Sequence, residues 1–158
     1  MKTPPRVRAG KSSREQLPDI VEIMKTTASP ANNDLKPEEL PVLVLAYLGD
    51  AVYELLVRRR LVSMGLVRMD QLHKETVKYV RADFQAAIMR RLAAGGLTEA
   101  EAAVARRGRN AKITHPPKGA SPENYHYSTA FEALIGFLYL KEEYERLNEL
   151  MEMIFEGA

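Results

Sequence analysis

The chain has 158 residues, enough for one domain with its own core. It contains no cysteine, which excludes disulfides and thiolate metal sites and leaves hard cations such as Mg²⁺ as the metals it could hold. The formal net charge is +2, and the chain has neither a signal-peptide pattern nor an apolar run of the roughly 20 residues that a membrane span needs. A soluble cytoplasmic protein without membrane association is predicted.

The first part of the chain is predicted to be a flexible basic leader, residues 1–34, preceding one domain at 35–158. Residues 1–15 hold five Lys or Arg against one acid, with little apolar content. A short helical pattern occurs at 18–25, and the Ser, Pro and Asn residues of 26–34 indicate a linker.

The rest of the chain predicts successive helices and no strand, so the expected fold class is all-α. A long apolar helix is expected to start at Pro37 and to continue to Val62. Asp70 is a candidate N-cap for a second helix, whose 3.6-residue apolar period continues to Leu92 before two glycines end it near residue 95.

Shorter helices are predicted in the second half. Thr98 and Glu101 fit a capping box that opens a helix ended by Gly108. Residues 111–120 form an irregular stretch of the kind that often carries function. Ser121 and the proline after it mark another helix start, with apolar residues from 130 to 140, and a final amphipathic helix is expected at about 142–155.

Two acids stand among apolar residues, where carboxylates are costly. Asp50 lies within VLVLAYLGDAV and Glu132 within STAFEALIG. A buried, ionised carboxylate costs several kcal/mol unless a cation or hydrogen-bond donors compensate. Two explanations remain open: salt bridges, for example from Asp50 to a residue of 58–60, or a shared Mg²⁺ site. Glu54 is either an outer ligand or, as we favour, a partner of Arg58 at i,i+4 spacing.

Small residues near these acids would allow two helices to approach closely and bring the carboxylates together. They are Ala46, Gly49, Ala51, Ala130, Ala133 and Gly136.

A second candidate surface is basic. Residues 106–118 contain five Lys or Arg and no acid, which indicates either a nucleic-acid contact or simply a solvated loop.

At this point the sequence resembles a known family. YLGDAVYE at 47–54 and AFEALIG at 130–136 are similar to the two acidic helices of ribonuclease III, and RRGRNAK at 106–112 together with YHYSTAFE at 125–132 resembles its reduced form, Mini-ribonuclease III. The resemblance covers about 41–155. The acids that ordinary ribonuclease III carries four residues before the aspartate and three before the glutamate are replaced by Ala46 and Thr129, a departure shared with the reduced form.

The resemblance implies a homodimeric helical endoribonuclease without a separate RNA-binding domain. It implies double-stranded RNA as substrate, in particular precursor ribosomal RNA at the ends of the large-subunit 23S species. Whether a ribosomal protein is a further partner is left open by the sequence. Asp50 and Glu132 would be the catalytic and metal-holding residues, with Mg²⁺ as cofactor, Mn²⁺ as a substitute and Thr129 as an outer-shell group.

The basic segment supplies the predicted RNA contacts. Arg107, Arg109, Asn110 and Lys112 offer charge and hydrogen bonds to phosphates and 2′-hydroxyls, and Tyr127 would either extend this surface or belong to the core. The three histidines have no metal-ligand spacing, so no catalytic role is expected for them. The alternatives are a catalytically retired, RNA-binding or ribosome-associated subunit of the same family, and a helical interaction module with salt-bridged acids.

Overall fold

The computed structural model describes residues 36–115 and 118–157. The leader predicted at 1–34, including the helical pattern at 18–25, lies outside the described residues. Within them the chain forms helices and no strand, which confirms the all-α fold class. A 3₁₀ turn at Pro37–Glu39 precedes α1 (Val42–Ser63), α2 (Met69–Val80), α3 (Ala82–Ala93), α4 (Glu99–Arg109), α5 (Pro122–Leu140) and α6 (Tyr144–Glu156).

The first long helix begins later than predicted, because Pro41 separates it from the turn at Pro37. Leu40 is extended, with φ −70° and ψ 145°, the conformation that a following proline favours. Pro41 then serves as the N-cap of α1, and its carbonyl accepts from the Val44 amide at 2.9 Å. The prediction of one continuous helix from Pro37 was therefore wrong.

The predicted second helix is two helices, divided at Arg81. This residue is extended, with φ −62° and ψ 145°, although the apolar period runs on without a proline or glycine. The Tyr53 hydroxyl donates to the Tyr79 carbonyl at 2.9 Å, an acceptor that a continuous helix would use for the amide of Asp83. Asp70 lies in the first turn of α2 and is not its N-cap, which is Arg68.

Two helix starts in the second half are as predicted. At α4, Thr98 Oγ1 accepts from the Glu101 amide at 3.2 Å, and the Glu101 carboxylate accepts from the Thr98 amide at 3.1 Å, which completes the capping box. At α5, Ser121 Oγ accepts from the Asn124 amide at 3.1 Å. These caps fix where both helices begin.

Gly108 was predicted to end α4, but it lies inside this helix. A Cβ atom at this position would come within 2.6 Å of the Ala130 Cα on α5. The glycine therefore permits α4 and α5 to pack closely, and α4 continues to Arg109.

The core is organised around α5, which packs against α1, α3 and α4. Phe131 and Tyr53 are fully buried and meet edge to face, with ring centroids 4.8 Å apart. Arg146 on α6 binds the buried carboxylate of Glu101 at 2.9 and 3.0 Å and ties α6 to α4. No described helix has the length and apolar character needed to cross a membrane.

Candidate active site

The site lies where α1 crosses α5, and two glycines set the closeness of that crossing. A Cβ at Gly49 would lie 1.7 Å from the Glu132 carbonyl oxygen, and a Cβ at Gly136 would lie 2.0 Å from the Leu45 carbonyl oxygen. Both contacts are with main-chain atoms, so no side-chain movement could make room for another residue. The close approach expected from the small residues is confirmed here.

This crossing brings Asp50 and Glu132 together. Glu132 is half-buried, and Asp50 follows directly after the glycine that touches the Glu132 backbone. Burial and the neighbouring charge of Asp50 raise the pKa of Glu132 from 4.5 to about 8. The two acids predicted to act together are thus electrostatic neighbours.

Asp50 is exposed, which corrects the expectation that both acids are buried. Leu45, Val52 and Tyr53, which lie near it in the sequence, are by contrast buried in the core. Partial desolvation and the charge of Glu54 raise the pKa of Asp50. The site therefore has one acid open to solvent and one set into the helix crossing.

Salt bridges do not account for these two acids. Within the described residues neither Asp50 nor Glu132 forms an ion pair. Glu54 instead accepts from Arg58 Nε at 3.1 Å, which confirms the i,i+4 pairing predicted for it. Two adjacent carboxylates without a cationic partner make a suitable place for a metal cation.

The donor set fits a hard cation that keeps most of its water. In the described part of the chain no group of three His, Asp or Glu side chains could together hold a metal. The Thr129 hydroxyl is buried and donates to the Tyr125 carbonyl of its own helix at 3.0 Å. Asp50 and Glu132 could supply two carboxylate ligands, and Mg²⁺ commonly binds through one or two such groups and several waters.

A buried polar pair beside Glu132 escaped the sequence interpretation. Gln85 on α3 is 1% exposed, and its amide oxygen accepts from Ser128 Oγ at 2.7 Å. Its Nε2 has no hydrogen-bond partner among the described residues. The available signal was a glutamine on the apolar face of α3, three and four residues before the buried Ile88 and Met89.

The predicted RNA-contact residues differ in their surroundings. Arg107 donates to the main-chain carbonyls of Glu38 at 3.2 Å and Leu40 at 2.6 Å, and so fastens the 3₁₀ turn to α4. Arg109, Asn110 and Lys112 are exposed at and beyond the end of α4.

Tyr127 connects this surface to the core. Its ring is half-buried, with the Arg90 guanidinium 4.3 Å and the Arg109 guanidinium 5.9 Å from the ring centroid. Tyr127 therefore packs against the core and also lies beside Arg109 at the end of α4.

Comparisons with known proteins identify the family of this chain. Residues 43–143 match the family model of the Ribonuclease III domain. A Mini-ribonuclease 3 of Symbiobacterium thermophilum is 53% identical over 116 residues, covering 73% of this chain and 88% of the relative. A Mini-ribonuclease 3 of a Thermoanaerobacter species is 47% identical over 114 residues, covering 72% and 80%.

A solved structure shows the same fold. The crystal structure of a Fusobacterium nucleatum protein superposes with a TM-score of 0.72 at 28% identity, covering 78% of this chain and all of that one. The matched range contains both acidic helices, α1 from its second residue and the whole of α5. The chain belongs to the ribonuclease III family of endoribonucleases and, within it, to the Mini-ribonuclease III group.

Proposed function

We propose that this endoribonuclease hydrolyses double-stranded RNA with a Mg²⁺ ion held by Asp50 and Glu132, and that Mn²⁺ can replace it. The observation that carries the proposal is the pair of adjacent carboxylates, which have no ion-pair partner within the described residues. When bound, the cation supplies positive charge at the scissile phosphate and makes a water molecule more acidic. No side-chain nucleophile is required.

The two carboxylates have different tasks in this proposal. Without a cation, burial and the charge of Asp50 raise the pKa of Glu132 to about 8, so this carboxyl is protonated below that pH. Cation binding must displace that proton, so Glu132 acts as a ligand whose affinity rises with pH. Asp50 faces solvent and supplies the oxygen ligand on the side from which the RNA phosphate approaches.

The RNA is proposed to lie along the exposed end of α4. Arg109, Asn110 and Lys112 contact phosphates and 2′-hydroxyls there, which is how A-form duplexes are mainly bound. Arg107 keeps its place among the proposed RNA contacts, since its exposed guanidinium has five N–H groups and donates only two of them to carbonyls. Because these contacts are largely electrostatic, binding should weaken as the salt concentration rises.

A homodimer is proposed through the exposed apolar side chains at the start of α1. Leu43 is 46%, Val44 48% and Tyr47 83% exposed, and these apolar side chains lie on the same helix as Asp50. Pairing two copies over this patch would bury it and place two active sites on one RNA-binding surface.

The substrate is proposed to be precursor ribosomal RNA in the cytoplasm, cut at the ends of the 23S species, with a ribosomal protein assisting. We propose the catalytic domain at residues 35–158. These assignments rest on the resemblance of the acidic and basic motifs.

The test is cleavage of an end-labelled perfect RNA duplex in Mg²⁺ by the wild type and by Asp50→Asn, with the matching single strand as substrate control. Duplex-specific cutting that Asp50→Asn loses supports the proposal. Equal cutting by Asp50→Asn would mean that the site is elsewhere, and a folded, dimeric wild type that binds duplexes without cutting them would favour the retired RNA-binding subunit.

A further inference from the structure

Gln85 is held in one orientation by a buried hydrogen bond. Its amide oxygen accepts from Ser128 Oγ at 2.7 Å, and both side chains are almost wholly shielded from solvent. Because the oxygen is engaged, the amide nitrogen is the group left to donate. That nitrogen is buried and has no hydrogen-bond partner among the described residues. Buried donors are rarely left unused, so an acceptor is expected close by.

The nearest candidate acceptor follows from the helix geometry. Ser128 and Glu132 are four residues apart on α5, so they share one face of that helix. Gln85, which binds the first, therefore lies against the same face as the second. In agreement, burial and the charge of Asp50 raise the pKa of Glu132, whereas the Gln85 side chain beside it opposes that rise.

We propose that Gln85, oriented by Ser128, is a positioning residue that donates a hydrogen bond to the Glu132 carboxylate and fixes it for cation binding. The inference rests on the proposed function of this carboxylate. A carboxylate that holds a cation through one oxygen can accept from an amide with the other, and such outer contacts orient the ligand. The chain thereby supplies a neutral donor beside the two acids that are proposed to hold the cation.

The test uses variants that keep the core filled. Gln85→Met retains the length of the side chain without its donor, and Gln85→Met with Ser128→Ala also removes the hydroxyl left without its acceptor. Thr76→Val is the matched control, because Thr76 is buried on α2 and its hydroxyl donates only to its own helix, to Leu72 O at 2.7 Å. Unfolding by urea establishes that each variant is folded.

Two measurements report on positioning. Mn²⁺ binding without RNA is followed by the electron paramagnetic resonance signal of the free ion, and duplex cleavage is measured across a Mg²⁺ titration. We expect the double variant to bind Mn²⁺ about 10- to 100-fold more weakly and to cut about 10- to 100-fold more slowly. This is the usual cost of losing an outer contact to a metal ligand. Thr76→Val should match the wild type in both.

The outcomes separate this inference from the proposed function. If the double variant is folded and matches the wild type in Mn²⁺ binding and cleavage, Gln85 only fills the core and the inference is overturned, while the cation site stands. If the wild type itself neither binds Mn²⁺ nor cuts duplex RNA, the proposed function fails and takes this inference with it.

Discussion

Glu132→Gln should change how the stability of the cation-free protein depends on pH. In the folded chain the pKa of the Glu132 carboxyl is about 8, against an ordinary value of 4.5. Between these values the folded state binds more protons than the unfolded state, so the free energy of unfolding falls as pH rises. Glutamine has the same shape and no charge, and therefore removes this dependence.

The size of the effect follows from the two pKa values. The difference between 4.5 and about 8 corresponds to no more than about 5 kcal/mol. Because the neighbouring Asp50 is open to solvent, water will screen part of this, and we expect roughly 2 to 3 kcal/mol. At pH 5 the wild type and Glu132→Gln should have nearly equal free energies of unfolding, and at pH 8.5 the variant should be more stable by that amount.

The assay is urea unfolding in EDTA at several pH values and one protein concentration, repeated with Mg²⁺. Saturating Mg²⁺ should stabilise the wild type selectively, since it binds the folded state through the ionised carboxylate, and should reduce or reverse the difference at pH 8.5. Parallel pH dependences of the wild type and Glu132→Gln in EDTA would refute the reasoning, because they would mean that Glu132 ionises in the folded state as it does in the unfolded one.

Three further predictions concern packing, a buried ion pair and RNA binding. Gly49→Ala should lower the free energy of unfolding by about 3 kcal/mol or more, since its Cβ would overlap a main-chain oxygen. Gly96→Ala should be nearly neutral in the same urea assay, because its Cβ would have its nearest neighbour atom at 3.5 Å. Arg146→Met should cost about 3 kcal/mol by leaving the buried Glu101 carboxylate without its cation, and a stability equal to wild type would show that the pair contributes nothing. Lys112→Gln should reduce the slope of log affinity against log salt for duplex RNA by about 1 in a binding titration, and an unchanged slope would place Lys112 outside the interface.

The meeting of Asp50 and Glu132 could be predicted from the sequence, because glycines beside both acids indicated a close helix crossing. Their unequal exposure could not. Asp50 stands between apolar residues in the sequence, but α1 turns about 100° per residue, so Leu45 and Val52 enter the core while Asp50 is exposed.

The predicted helix boundaries were wrong where the contact that decides them comes from a residue distant in the sequence. No residue near Arg81 breaks the apolar period. The Tyr53 hydroxyl, which donates to the Tyr79 carbonyl, comes from another helix. Gly108 was misjudged for the same reason, since only the approach of Ala130 shows why a side chain is excluded there. Caps such as Thr98 and Ser121 were predicted correctly because their partners lie three residues away.

The contact of Gly49 with the Glu132 carbonyl means that main-chain atoms, and not side-chain rotamers, determine how far apart the two acidic helices stand. Substitutions elsewhere in the core can therefore alter the stability of the fold while leaving the separation of the two carboxylates almost unchanged. Apolar core residues of this chain can accordingly be exchanged without moving the two acids apart, provided that the two glycines at the crossing remain.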